Sequence, residues 1–226
     1  MGLLVPDIEF PLLAGLDESE RSQLFAAAEP RRYGRREVVF HEGDPGDTLH
    51  LVLSGRLAVR VTTPLGDVAT LSVLGAGQSF GELALIDPDG QRTATVVALE
   101  PTRTLALRRS ALLALREQHP AFDRFLLGTL AAQVRRLSSM VLEALYLPVE
   151  QRIGRQLAYL ARVYGGETGR AEIRLTQDDI AGAAGTTRAT ANRVLRALEA
   201  RGAIVLARGR IVVLDRAGLD GGRAGP

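Results

Sequence analysis

The sequence predicts an α+β chain in three parts: a strand-rich front domain (1–119), one long helix (120–147) and a small helical unit with a closing hairpin (148–226). Three patterns carry that expectation. Between residues 38 and 108 apolar residues recur with period two in short runs parted by turn residues. From 120 to 147 the spacing becomes three and four, with Gly128 the one internal glycine and no internal proline. Beyond Pro148, short helical stretches are joined through Gly185 and followed by "AIVLARGRIVVL", which reads as two strands around a turn.

In chain order, residues 11–28 read as a turn and a short amphipathic helix with Leu16, Leu24 and Phe25 on its apolar side. "TLHLVLSGRLAVRV" alternates Leu49, Leu51 and Leu53, then Leu57, Val59 and Val61, around Ser54-Gly55-Arg56, and predicts a hairpin. Further strands are expected near 68–74, 93–100 and 103–108, separated by "LGAGQ", "DPDGQ" and "EPT". Short strands with regular turns make a small sandwich or barrel. In the long helix, Leu126, Leu130, Gln133, Leu137, Met140, Ala144 and Leu147 form an a/d seam broken by one polar residue. A second apolar row, Leu127, Val134 and Val141, lies beside it. The helix could simply lie on its own core; two adjacent apolar sides also suit one facing the core and one facing a partner helix in a parallel homodimer.

Composition removes several function classes. Cysteine is absent, so disulfides, thiolate metal sites, Cys-ligated iron–sulfur clusters and Cys nucleophiles are excluded. His41, His50 and His119 show no metal-ligand spacing, and His41 and His50 are expected as solvated strand-end residues. No apolar run approaches the ~20 residues of a membrane span, and no basic-then-apolar leader is present, so a cytoplasmic protein is expected. Charge is unevenly spread. Residues 1–147 carry 15 Arg and 18 acids (−3), and residues 148–226 carry 13 Arg and 8 acids (+5), which suits contact between the rear third and a polyanion.

The rear constellation is "LTQDDIAGAAGTTRATANRVLRALEARG". Thr176 with Asp179 makes an approximate capping box, Ala181 is small where helices cross, Gly185 suits the turn, and Thr187 caps a second helix that Gly202 ends. Ala191, Val194, Leu195 and Leu198 share one face of that helix; Arg188, Asn192, Arg193 and Arg196 share the other. An Arg-rich solvated face is the bland reading. The sharper one is a helix-turn-helix whose second helix enters the major groove, with Arg188 and Arg193 suited to guanine, Asn192 to adenine or phosphate, and Thr186 and Thr187 to phosphates. Arg208 and Arg210 would tip a two-stranded wing.

In front, "FGELALIDPDGQRTATV" sets Gly81 and Glu82 ten residues before Arg92 and Thr93. Main-chain amides at a short helix start, a guanidinium and a hydroxyl suit a phosphate, while Glu82 suits sugar hydroxyls. A sugar phosphate satisfies all four; a structural Arg–Glu pair closing a β-turn is the competing reading. No nucleophile, base and orienting group occur together, so no enzyme is expected.

At these residues the chain resembles the cyclic AMP receptor protein/FNR (CRP/FNR) family of bacterial transcription regulators. The resemblance runs from about 10 to 215 through "HEGDPGDTLHLVLSGRLAV", "FGELAL", "RTATV", the long helix and the helix-turn-helix. It implies a jelly-roll-like cyclic-nucleotide-binding β-roll with glycine turns at Gly43, Gly55 and Gly81, a dimerisation helix and a winged helix-turn-helix. It also implies that Gly81, Glu82 and Leu83 hold amide and ribose contacts and that Arg92 and Thr93 hold the cyclic phosphate. Counting back from "LPVEQRI", the base-side places are Leu137 and Ser138. Leu137 departs from the family's polar choice, leaving the base hydrogen bond to Ser138. Arg188 and Arg193 match base-reading arginines and Gln177 a phosphate- or base-proximal place, whereas Ala189 replaces a common acid and implies a different operator. The implied effector is cyclic AMP, with cyclic GMP second; a vestigial cassette or another effector is the alternative. The implied partners are near-palindromic double-stranded DNA, a second copy of the chain and RNA polymerase, with no membrane and no cofactor.

Overall fold

Alternation along β3 (Thr48–Ser54) divides the front of the molecule in two. Leu49, Leu51 and Leu53 join one apolar cluster, and Val52 joins another on the opposite face. The computed structural model describes residues 8–62, 66, 68–83, 90–118, 121–165 and 170–219. The chain folds as two units, residues 1–59 with 74–137, and 60–73 with 138–226.

In the front unit a 3-10 turn (Pro11–Leu13) leads into α1 (Glu18–Ala26), whose N-terminus is closed by a reciprocal Asp17–Glu20 capping box. Leu16, Leu24 and Phe25 are buried as expected, packing with Leu49, Leu51, Leu53, Leu105 and Leu107 on the outer face of a four-stranded sheet. That sheet runs β1 (Glu29–Tyr33), β8 (Thr102–Arg108), β3, β6 (Ser79–Phe80), with all three adjacent pairs antiparallel. A second sheet runs β2 (Val38–Phe40), β7 (Thr95–Ala98), β4 (Leu57–Thr62), β5 (Val68–Leu74). Val52, Leu57, Leu74, Phe80 and Val96 fill the space between them.

The expected hairpin over 49–61 is not formed. β3 and β4 lie in different sheets, and the Ser54–Arg56 turn carries the chain from one to the other. Period two identifies a strand but not its partner. The turn packs tightly against the β7–β8 connection: a Cβ on Gly55 would lie 2.5 Å from the Pro101 carbonyl oxygen. The sequence reading also passed over β1 and α2 (Arg109–Gln118), whose Leu112 completes the outer core.

The long helix is α3 (Ala121–Tyr146). Of its two apolar rows, Gln133, Met140 and Leu147 are half-buried, while Leu127, Val134 and Val141 are exposed. Leu137 and Ala144 of the expected seam are exposed as well, so the open stripe takes members of both rows, Leu127, Val134, Leu137, Val141 and Ala144, with half-buried Leu130 at its edge. The Leu126 side chain and residues 84–89 and 166–169 lie outside the described residues.

In the rear unit α4 (Val149–Gly165) buries Ile153, Leu157, Leu160 and Ala161, the stripe of an amphipathic helix. α5 (Gln177–Ala183) and α6 (Arg188–Ala200) follow, with β9 (Ala171–Ile173), β10 (Ile204–Ala207) and β11 (Arg210–Val213) in a sheet ordered β10-β11-β9. Arg60 pairs with Asp179 at 2.7 Å, and Tyr159 Oη donates to the Val73 carbonyl at 2.8 Å.

Candidate anion pocket and nucleic-acid interface

Arg92 does not reach outward for solvent; only 5% of it is exposed. Its backbone is fixed by two bonds to the 43–44 turn: Gly43 N–H donates to its carbonyl and its own N–H donates to Asp44 O, both at 2.8 Å. The side chain then turns into the space between the sheets. Nη1 donates to the Thr48 carbonyl at 2.8 Å, Nη2 to Thr48 Oγ1 at 2.6 Å, and the guanidinium lies 4.1 Å from the centre of the Phe40 ring. Gly81 makes this close approach possible. Its φ is +88°, and a Cβ there would sit 2.7 Å from both Arg92 Nη1 and the Thr48 carbonyl oxygen.

Two observations suit this arginine to an anionic partner. Its Nε is buried and has no partner among the described residues. Asp44, Asp47 and Glu82 act on it through space, yet no described carboxylate comes within ion-pair distance. Burial pulls its pKa below the ordinary arginine value, opposed by the charges of Asp47, Asp44 and Glu82, in that order. A guanidinium remains charged throughout, so a buried cation without an ion pair is costly unless an anion completes it.

Behind Arg92 lies His50, expected in solvent and found 4% exposed. Its ring stacks on Phe80 at 4.8 Å with 5° between planes, and its Nδ1 and Nε2 lie 3.2 and 3.3 Å from Thr104 Oγ1 and Thr48 Oγ1. Burial, then the charges of Arg92 and Arg31, push its pKa down to about 3. The strand-end reading failed because His50 occupies an inward place of β3, alternating with Leu49 and Leu51. A polar pair, Thr48 and His50, on the inward side of an apolar strand was the available signal for both. His41 is exposed as expected.

The other cassette residues are placed as follows. Glu82 is half-buried, and Leu83, at the first helical position after it, is exposed. The short helix expected here falls on residues 84–89, outside the described residues. Thr93 is exposed beside buried Arg92. Leu137 and Ser138 are both exposed on α3. Gly43, Gly55 and Gly81 all have positive φ, at +85°, +84° and +88°.

In the rear unit the expected helix pair is present. Thr176 accepts from Asp179 N–H at 3.2 Å while Asp179 Oδ2 accepts from Thr176 N–H at 3.0 Å. Thr187 Oγ1 accepts from Thr190 N–H at 3.3 Å and starts α6. Ala191, Val194, Leu195 and Leu198 are buried; Arg188, Ala189, Asn192, Arg193 and Arg196 are exposed together on the opposite side. Gln177 opens α5, half-buried, and Thr186 is half-buried in the turn. β10 and β11 pair from Ile204↔Val213 to Ala207↔Arg210, leaving exposed Arg208 and Gly209 at the tip. Two acids the sequence reading passed over face the arginines: Asp178 lies 3.2 Å from Arg188, and Glu150 3.9 Å from Arg193. Both pairs are solvent-exposed, so each holds its arginine only weakly.

Comparison with known proteins follows the same division. The family model described as cyclic nucleotide-binding domain matches residues 30–119, and that described as Crp-like helix-turn-helix domain matches 151–221. A CRP-like cAMP-activated global transcriptional regulator of Mycobacterium tuberculosis is 30% identical over 207 residues, 90% of this chain and 92% of its own length. The cyclic AMP receptor protein of Thermus thermophilus is 35% identical over 210 residues, covering 93% and 95%. Among solved structures, the Thermus thermophilus catabolite activator protein aligns with a TM-score of 0.54 at 33% identity, covering 92% of this chain and 96% of that one. The c-di-GMP responsive global regulator CLP of Xanthomonas campestris shares the fold with a TM-score of 0.73 at 23% identity, covering 87% and 99%.

Proposed function

We propose, since the chain belongs to the CRP/FNR family of cyclic nucleotide-regulated transcription factors, that it is a homodimeric DNA-binding regulator controlled by cyclic AMP. The relatives are transcriptional regulators, and this chain is not an enzyme. The observation that carries the reading is buried Arg92, a cation with a free Nε and no ion pair among the described residues. The cyclic phosphate completes that guanidinium, with Thr93 adding a hydroxyl; Gly81, Glu82 and Leu83 take the amide and ribose contacts. Ser138 hydrogen-bonds the base, and Leu137 contacts it without a polar group.

Dimerisation is proposed through the open stripe Leu127, Val134, Leu137, Val141 and Ala144, with half-buried Leu130 at its edge, whose exposed large side chains a partner helix would cover. Two copies of α6 then read half-sites about one DNA turn apart, roughly 34 Å, in a near-palindromic operator. Arg188, Asn192 and Arg193 face the bases; Gln177, Thr186, Thr187 and Arg208 hold phosphates, and Ala189 leaves one base pair without an acidic acceptor. RNA polymerase is the expected partner at the promoter. Ligand shifts the DNA-competent population by its differential affinity for the two states.

Leu137 favours one second reading, a different nucleotide effector, because it offers the base no hydrogen bond. Selection of DNA from a random library, without ligand and with cyclic AMP, cyclic GMP or cyclic di-GMP, tests both. Enrichment of a palindrome under cyclic AMP alone supports the proposal. Enrichment that ignores all three ligands overturns nucleotide control.

A further inference from the structure

We propose that Thr48 is a positioning residue for nucleotide binding, holding the Arg92 guanidinium so that one edge is reserved for the incoming phosphate. The inference rests on the cassette reading above and extends it to a residue outside the 81–93 segment.

A guanidinium presents five N–H donors in a rigid plane and can meet an oxyanion along its Nη1/Nη2 edge or its Nε/Nη2 edge. Thr48 supplies the two short contacts on the first edge, where Nη1 also donates to the Gly81 carbonyl at 3.4 Å. The Thr48 carbonyl accepts from Nη1 at 2.8 Å and its hydroxyl accepts from Nη2 at 2.6 Å. The second edge keeps Nε–H, which has no partner, and the remaining Nη2 hydrogen. Phe40 covers a face of the plane at 4.1 Å and blocks rotation out of it. The fork is therefore held before ligand arrives, which lowers the ordering cost of a bidentate contact.

The Thr48 hydroxyl is itself oriented. Because it accepts from Arg92, its hydrogen is directed to His50 Nε2, 3.3 Å away, and His50 Nδ1–H donates to Thr104 Oγ1 at 3.2 Å. This chain assigns the neutral Nδ1–H tautomer and links β8 and β3 to the phosphate site. Valine at position 48 keeps the main-chain acceptor and the shape but removes the hydroxyl link; serine restores it.

Calorimetric titration of the full chain with cyclic AMP, on the wild type, Thr48→Val, Thr48→Ser, Arg92→Leu and the Thr48→Val/Arg92→Leu double variant, tests the assignment. Thr48→Val should weaken binding about tenfold, the loss expected for one charge-assisted hydrogen bond. Thr48→Ser should stay within about twofold, and in the Arg92→Leu background the valine should cost nothing further. Wild type that binds while Thr48→Val binds equally well overturns this inference and leaves the cassette reading standing. A tenfold loss that persists without the arginine assigns Thr48 to structure alone and also overturns it. Wild type with no saturable heat for cyclic AMP or cyclic GMP brings down the cassette reading itself.

Discussion

Acidification from pH 7 to 5 should destabilise the front unit through one ring, His50. The folded ring has its pKa pushed down to about 3 by burial and by the nearby Arg92 and Arg31 charges. The unfolded ring titrates near 6.5, the model-peptide value. The unfolded state therefore binds more protons than the folded one between those limits. The contribution is complete above about pH 6.5 and is lost progressively as pH falls toward 3. Linkage over these two values gives a loss of about 2 kcal/mol at pH 5, before most carboxylates begin to titrate. Urea unfolding at pH 7, 6 and 5 measures it directly, with His50→Phe as control, since that variant keeps an aromatic ring against Phe80 and has nothing to titrate. Wild type should lose the predicted stability while the phenylalanine variant changes by less than half as much. Identical pH profiles for the two would show that the ring does not stay neutral in the folded state, and the Thr48–His50–Thr104 chain would lose its tautomer.

Arg193→Ala should weaken binding to a selected operator by about 1–3 kcal/mol and relax preference at one base pair; competition footprints that keep full discrimination at every position would contradict its base-reading place. Val134→Glu with Val141→Glu puts two charges into the open row of α3, and sedimentation should show a monomer at micromolar concentration where the wild type is a dimer. Met140→Glu, on the half-buried row, should leave the dimer intact; loss of the dimer there instead would return the seam to the register read from the sequence.

The rear unit was legible because each of its signals is local. Thr176, Asp179, Thr187 and Gly202 act within a few residues of themselves, and the Arg188–Arg196 face follows from helical spacing alone. The front unit was legible in its strands and not in their pairing. Leu49, Leu51 and Leu53 reveal β3, but nothing in the chain says that β3 pairs with β8 and β6 rather than with β4. The same limit hid the partners of Arg92. Its donors were read from "RTATV", whereas Thr48 and Phe40 arrive from strands more than forty residues away. On α3 both apolar rows were visible, whereas which of their members stay open, Val134, Leu137 and Val141 rather than half-buried Gln133 and Met140, depends on what packs against the helix.

The central claim is that a buried guanidinium in the front unit awaits a cyclic phosphate, and titration calorimetry of wild type against Arg92→Leu measures it most directly. The wild-type chain should bind cyclic AMP at one saturable site per chain, and the leucine variant should lose about 1.5–3 kcal/mol of that affinity, the range for hydrogen bonds to a charged group. Equal affinity in the two proteins, with both unfolding cooperatively, would contradict it.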